Sequence, residues 1–254
     1  MCGSPSPPRL PPAAIAHRLG AGLGAENSLA ACRAALAAGF GALECDVKLS
    51  ADGQAFLLHD DSLLRSHALA LRASALPWSQ LRSLQAGEAI ASLPQLHAAL
   101  RDGAPAPWLN LEIKPDADAD AACQQRWGRE IARQAAALWR DEPPPLLSSF
   151  SIAALQGALQ GAPQLPRAWI CGRLPARWRE VAQALGLRAI HLDFESCSPA
   201  AVSCLAQAGL ALRLYTVNDP AVLERWLRHG VAGVFTDTVP SPEALQAAAA
   251  GHHG

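Results

Sequence analysis

No stretch of this 254-residue chain is strongly basic, and its formal net charge is only −1. A nucleic acid or an anionic membrane surface is drawn by a dense positive field, so neither is expected as the main partner. Any anion must be held by a local site. Zinc-type cysteine spacing is missing too: the 7 cysteines, at positions 2, 32, 45, 123, 171, 197 and 204, form no Cys-x-x-Cys pair. Odd in number and scattered through apolar segments, they read as reduced core thiols and not as a disulfide framework. No apolar run approaches the roughly 20 residues of a membrane-spanning helix, so stable membrane insertion is not expected. The start is proline-rich and lacks a basic stretch followed by an apolar run, so no secretory signal is read and the expected location is cytoplasmic. Also absent is a dinucleotide fingerprint, because Gly20, Gly22 and Gly24 have the wrong spacing for one. No linker or composition break divides the chain. Residues 1–254 are therefore read as one domain, with 1–12 a flexible proline-rich start and 251–254 a disordered tail.

What is present is an apolar half, 50% of the residues, arranged as alternating strand-like and helix-like stretches. The first strand is expected over Ala14 to Arg18, and a helix over Glu26 to Ala38, capped by Asn27 or Ser28 and ended by Gly39. Ala42 to Ser50 then turns at Asp52-Gly53 into Gln54 to His59, a hairpin pattern. An irregular region from Asp60 to Ser92 precedes a helix at Leu93 to Leu100, the strand Trp108 to Lys114 and a long helix from Ala119 to Arg140. Strands at Pro145 to Phe150, Ala168 to Cys171, Ala189 to Phe194, Leu212 to Val217 and Gly233 to Thr236 complete the alternation, each followed by a helix, the last a terminal one. About eight strand–helix units in this length fit a (β/α)₈ barrel. A doubly wound open sheet is the other architecture with this alternation, and the missing fingerprint argues against it.

Three polar clusters interrupt the apolar strands: His17-Arg18, Glu44-Cys45-Asp46 and Glu112-Ile113-Lys114. A strand buried on both faces should be apolar throughout, because an unpaired buried charge costs several kcal/mol, on the order of a domain's whole net stability. Charges at i and i+2 share a face roughly 6.5 Å apart. His59 closes a further apolar run, Ala55-Phe56-Leu57-Leu58. In a barrel, strand C-termini face one mouth, which gathers these groups into one site. Glu44, Asp46 and Glu112 repel one another unless a cation joins them, and a hard ion such as Mg²⁺ or Ca²⁺ suits an all-oxygen set. The other reading pairs each acid with Arg or Lys at the rim. His17 and His59 fit either acid–base work or ordinary places at the core edge. Arg18 and Lys114 fit either a phosphate or those same carboxylates. With a divalent ion bound, the three acids and two cations leave a surplus of one positive charge, which a phosphodiester would cancel. Asn218-Asp219-Pro220 reads as the cap of the next helix, and Phe150, Trp169 and Tyr215 as packing residues. His191 and Asp193 alternate toward the mouth by strand parity, with no role specified.

Ala16-His17-Arg18, Glu26-Asn27-Ser28, Glu44-Cys45-Asp46, His59-Asp60-Asp61 and Leu111-Glu112-Ile113-Lys114 resemble, in order and spacing, the motifs of the glycerophosphodiester phosphodiesterases. Leu147-Ser148-Ser149-Phe150, Tyr215-Thr216-Val217-Asn218 and Phe235-Thr236-Asp237 extend the likeness, which is greatest to short cytosolic bacterial members. The resemblance implies a (β/α)₈ barrel, with a small insertion after the second strand, that hydrolyses glycerophosphocholine or glycerophosphoethanolamine to glycerol 3-phosphate and an alcohol. It implies that Glu44, Asp46 and Glu112 hold one divalent cation, Mg²⁺ or Ca²⁺. His17 would be the general base and His59 the general acid, with Arg18 and Lys114 on the phosphate. Either water or the substrate's own hydroxyl could be activated.

Three departures stand out. Leu19 occupies the family's glycine position, where a backbone at positive φ would strain a leucine and shift Arg18. Ala25 and Ser28 replace Pro and Thr around Glu26-Asn27, with no threat to the chemistry. The segment between His59 and Leu93 looks shortened, which would open the mouth and bear on substrate range. Two further functions share the scaffold: a phospholipase D acting on lysophospholipids, and a barrel that binds phosphodiesters without cleaving them.

Overall fold

A computed structural model describes residues 13–84, 87, 89–101 and 106–240 of the chain. The expected flexible start and disordered tail lie outside the described residues, as does most of the expected terminal helix. The described residues form nine strands: β1 Ala14–Ala16, β2 Ala42–Leu49, β3 Ala55–Leu57, β4 Trp108–Ile113, β5 Leu146–Ser149, β6 Arg167–Cys171, β7 Ala189–Asp193, β8 Ala211–Tyr215 and β9 Gly233–Thr236. All except β3 are mutually parallel in the order β1-β9-β8-β7-β6-β5-β4-β2, and pairing of β1 with β2 closes the ring. The expected eight-stranded barrel is the fold. β3 pairs antiparallel with the far end of β2, and Gly53, at φ 83, makes the turn between them.

Side-chain alternation divides the core. Leu43, Cys45 and Val47 of β2 face the surrounding helices and join the main apolar cluster. Ala42, Ile15 and Phe235 face inward, and Leu146, Ala168 and Ala189 do likewise. Trp108 touches both inner groups, and the small alanines leave room for its ring. Helix starts follow from their capping side chains. Ser28, Asp120, Ser151, Ser198 and Asp219 each accept a backbone N–H of the first turn.

Three boundaries differ from the sequence expectation in ways that bear on the site. β1 stops at Ala16, not Arg18, because Arg18 and Leu19 lie at φ 49 and φ 63, where an extended strand cannot continue. The first helix begins at Leu29, since Asn27 also lies at positive φ, and Ser28 is its cap. β2 runs on past its polar cluster, so Glu44 and Asp46 lie inside the strand and not at its end. Only its first six residues pair with β4; Lys48 and Leu49 pair with β3 alone.

The segment after β3 contains two single-turn helices, Leu64–His67 and Trp78–Leu81, over a small core of Phe56, Leu58, Leu63, Ala73, Leu81 and Ile90. It is fastened by Lys48, which the sequence reading passed over. Fully buried, Lys48 donates from Nζ to Asp61 at 2.6 Å, Asp116 at 3.0 Å and the Lys114 carbonyl at 3.2 Å. A buried ammonium is tolerated because each proton finds an oxygen.

Candidate active site

The turn after β1 begins the site. Three successive residues with positive φ, Arg18, Leu19 and Gly20, reverse the chain immediately after His17. The reversal aims the Arg18 backbone N–H at Glu44, to which it donates at 2.8 Å. Each non-glycine residue in this conformation costs about 1–2 kcal/mol. Leu19 does lie at positive φ, as its glycine-like position suggested, and its side chain is fully buried in the main core.

Glu44, Asp46 and Glu112 bring one carboxylate oxygen each within 4.8 Å of one another. β2 and β4 align Asp46 with Glu112 in register, which places two acids side by side. Asp46 is the most strongly tied: Asn27 donates to it from Nδ2 at 2.8 Å, and Lys114 from Nζ at 3.1 Å. Its own backbone N–H donates back to Asn27 at 3.0 Å, a reciprocal pair that fixes Asn27 at φ 56. Burial works to raise the Asp46 pKa, but Lys114, His59 and Asn27 outweigh it and hold the carboxyl below its ordinary range. Burial and the neighbouring acids instead push Glu44 well up, and push Glu112 up to about 7. One oxygen of Glu44, Oε1, is buried with no hydrogen-bond partner among the described residues. Two acids that resist ionisation and an orphaned carboxylate oxygen fit a hard divalent cation with all-oxygen ligands.

Each histidine is oriented by its own carboxylate. His17 donates from Nδ1 to Asp237 at 2.8 Å, and Asn218 donates to the second Asp237 oxygen at 3.0 Å. That leaves His17 Nε2 free to face the cavity, 4.0 Å from Glu44. His59 bonds Asp60 through Nδ1 at 2.7 Å. Asp60 also accepts from Arg65 Nε at 2.6 Å, which brings its pKa to about 2. Burial is the main cause that holds the His59 pKa below its ordinary value. Arg65 reaches on to Glu26, and Glu26 accepts from Arg18 Nη1 at 2.7 Å. A single surface arginine thus supports both the partner of His59 and the partner of Arg18.

All seven expected residues, His17, Arg18, Glu44, Asp46, His59, Glu112 and Lys114, line one cavity with about 570 Å³ of empty space. Phe150 and Tyr215 line it as well, and the two rings pack edge to face at 5.9 Å. The capping reading of residues 218–220 divides in two. Asp219 caps the helix Pro220–Arg228, whereas Asn218 turns to Asp237. Asp237 and Asn218 lie in motifs that the sequence displayed, but only their spatial pairing gives them a part. Asp193 accepts the Glu195 backbone N–H, while His191 lines the cavity.

Residues 17–240 match the model of the "Glycerophosphoryl diester phosphodiesterase family". Among solved structures, a phosphodiesterase of Oleispira antarctica in complex with the product sn-glycerol-3-phosphate is similar at a TM-score of 0.81 and 28% identity, covering 95% of this chain and 97% of that one. A glycerophosphodiester phosphodiesterase of Caldanaerobacter subterraneus is 26% identical over 91% of this chain and 95% of its own. A human glycerophosphodiester phosphodiesterase domain-containing protein is 29% identical over 91% of this chain, which spans only 43% of that relative's length.

Proposed function

The chain belongs to the glycerophosphoryl diester phosphodiesterase family, which makes it a phosphodiesterase, and from that premise we propose that it hydrolyses glycerophosphodiesters to glycerol 3-phosphate and an alcohol by acid–base catalysis. One observation carries the reading: two histidines, each held at Nδ1 by a carboxylate, meet three acids and two cations in a single cavity. Glu44, Asp46 and Glu112 would hold a divalent ion, Mg²⁺ or Ca²⁺, which when bound supplies positive charge to the phosphate oxygens. Arg18 and Lys114 add to that charge as it develops on phosphorus.

His17 is assigned the base. With Nδ1 given to Asp237, Nε2 is the free nitrogen, and Asp237 stabilises the imidazolium that forms when Nε2 takes a proton from the nucleophile, either water or the substrate's own hydroxyl. His59 is assigned the acid. Its Nδ1 is held by Asp60, so Nε2 is the atom that would pass a proton to the departing alkoxide. A barrel that only binds phosphodiesters has no need of such a pair. Glycerophosphocholine and glycerophosphoethanolamine are the proposed substrates. The six free cysteines among the described residues suit a cytoplasmic setting, where thiols stay reduced.

A second reading, hydrolysis of lysophospholipids on the same scaffold, draws on exposed apolar residues, one directly after β5 and one in the short helix Leu64–His67 after β3. Phe150 is 51% exposed, and Leu64 59%. A coupled assay of glycerol 3-phosphate release from glycerophosphocholine, run beside choline release from lysophosphatidylcholine, separates the two. The expected result is turnover of the deacylated diester that a chelator stops and Mg²⁺ or Ca²⁺ restores. Turnover of the lysolipid alone would replace the main reading with the second.

A further inference from the structure

Below the carboxylates the cavity is lined by two polar side chains that the acid–base assignment does not employ, Asn110 and His191. Asn110 precedes Glu112 by two residues on β4, so it faces the same interior roughly 7 Å deeper. His191 enters from β7, its ring 4.8 Å from that of Phe235. Each residue is only 1% exposed. Asn110 donates from Nδ2 to Ser148 at 2.9 Å, and its Oδ1 has no partner among the described residues. Nε2 of His191 has none among them either. Leaving a buried polar atom unsatisfied costs a factor of roughly ten to a hundred in an equilibrium constant, so the molecule that enters the cavity is expected to satisfy it.

The charge around this floor narrows the choice of ligand. Burial, with Arg213 beside it, keeps the His191 imidazole neutral. Arg213 aligns with His191 in the β7–β8 register, has an unpartnered Nε, and stacks on Trp108 at 4.6 Å. A quaternary ammonium or amine beside His191 would therefore have the guanidinium of the neighbouring strand as a nearby like charge, whereas an uncharged hydroxyl can both donate to Asn110 Oδ1 and pair with the imidazole.

We propose that Asn110 and His191 form a hydroxyl subsite that receives the terminal hydroxyl of the glycerol half, so that the head group points out of the mouth past His59. The proposal rests on the glycerophosphodiesterase reading above and adds an orientation and a specificity to it. His191 and Asn110 are specificity residues in this account and take no part in proton transfer.

The test compares two 4-nitrophenyl phosphodiesters, one of glycerol and one of propane-1,2-diol. They differ only in the terminal hydroxyl and keep the hydroxyl next to the ester. The wild-type protein is expected to prefer the glycerol ester by roughly 10- to 100-fold in kcat/KM, mainly through KM. His191→Phe and Asn110→Ala are each expected to bring that preference to within about threefold of parity by weakening only the glycerol ester. Thermal unfolding is checked first, and if His191→Phe does not fold, Asn110→Ala decides. An unchanged preference in a folded variant, an equal loss on both esters, or a wild-type protein without preference would overturn the subsite. Failure of the underlying reading looks different: the wild-type protein would turn over neither ester, and the subsite would fall with it.

Discussion

Leu19 sets two costs against each other in one side chain. Its left-handed backbone is unfavourable by about 1–2 kcal/mol, while its fully buried side chain fills the core beside the barrel. Deleting a buried leucine side chain costs about 3–5 kcal/mol, the larger quantity. Leu19→Gly is therefore expected to lose about 1–4 kcal/mol in urea unfolding, with glycerol 3-phosphate release preserved. A gain in stability would mean that backbone strain outweighs packing here. At this scale much of the site was legible, because charges inside apolar strands are visible in any single sequence. The supports were not. Asp237 lies 220 positions from His17, and Arg65 lies 39 from Glu26, and no local spacing records such pairings. His191 was readable as an inward-facing residue, but its unpartnered nitrogen appears only when the whole interior is assembled.

Between elements, the tightest packing joins the helices Ala121–Leu138 and Ile152–Gly161. A Cβ on Gly128 would lie 1.8 Å from the Ala154 carbonyl oxygen, and one on Gly157 1.9 Å from that of Gln125. The backbones touch directly, so these glycines are required by contact, not by conformation. Gly157→Ala should gain about 1 kcal/mol of helix propensity and lose more to the forced separation of the helices. The expected result is a net loss of about 1–2 kcal/mol, or several degrees in Tm, while Gly172→Ala, which meets nothing within 4 Å, changes little. Equal behaviour of the two variants would contradict the contact. Most elements could be read from the sequence because strand and helix periods alternate cleanly and the helix caps are conventional. The end of β1 could not, since only the fold demands left-handed residues at Arg18 and Leu19. The continuation of β2 into β3 carried its polar cluster away from the strand end for a similar tertiary reason.

For the whole molecule, the acids couple metal, proton and stability. Glu112 rises from its ordinary 4.5 to about 7, mainly by burial, and Glu44 rises with it. A carboxyl whose pKa is raised on folding stabilises the fold below its unfolded pKa, and that contribution is lost as pH climbs through the folded value. In the metal-free protein the contribution of these two acids should thus be lost between about pH 4.5 and 7, against the opposite contribution of His59 and His191, whose pKa values burial lowers, and a bound divalent cation should offset the acids' loss. The rise in Tm on adding Mg²⁺ or Ca²⁺ is expected to be small at about pH 5, where protons hold the site, and several degrees at about pH 8. A cation effect equal at both would argue against the carboxylate site. The central claim is the division of labour between the two histidines, and the leaving group tests it most directly. His59→Ala should slow glycerol 3-phosphate release from glycerophosphocholine by about 10²- to 10⁴-fold, yet slow the 4-nitrophenyl ester of glycerol phosphate less than about tenfold, because that anion departs without a proton. Equal losses on both substrates would contradict the assignment of His59 as the acid.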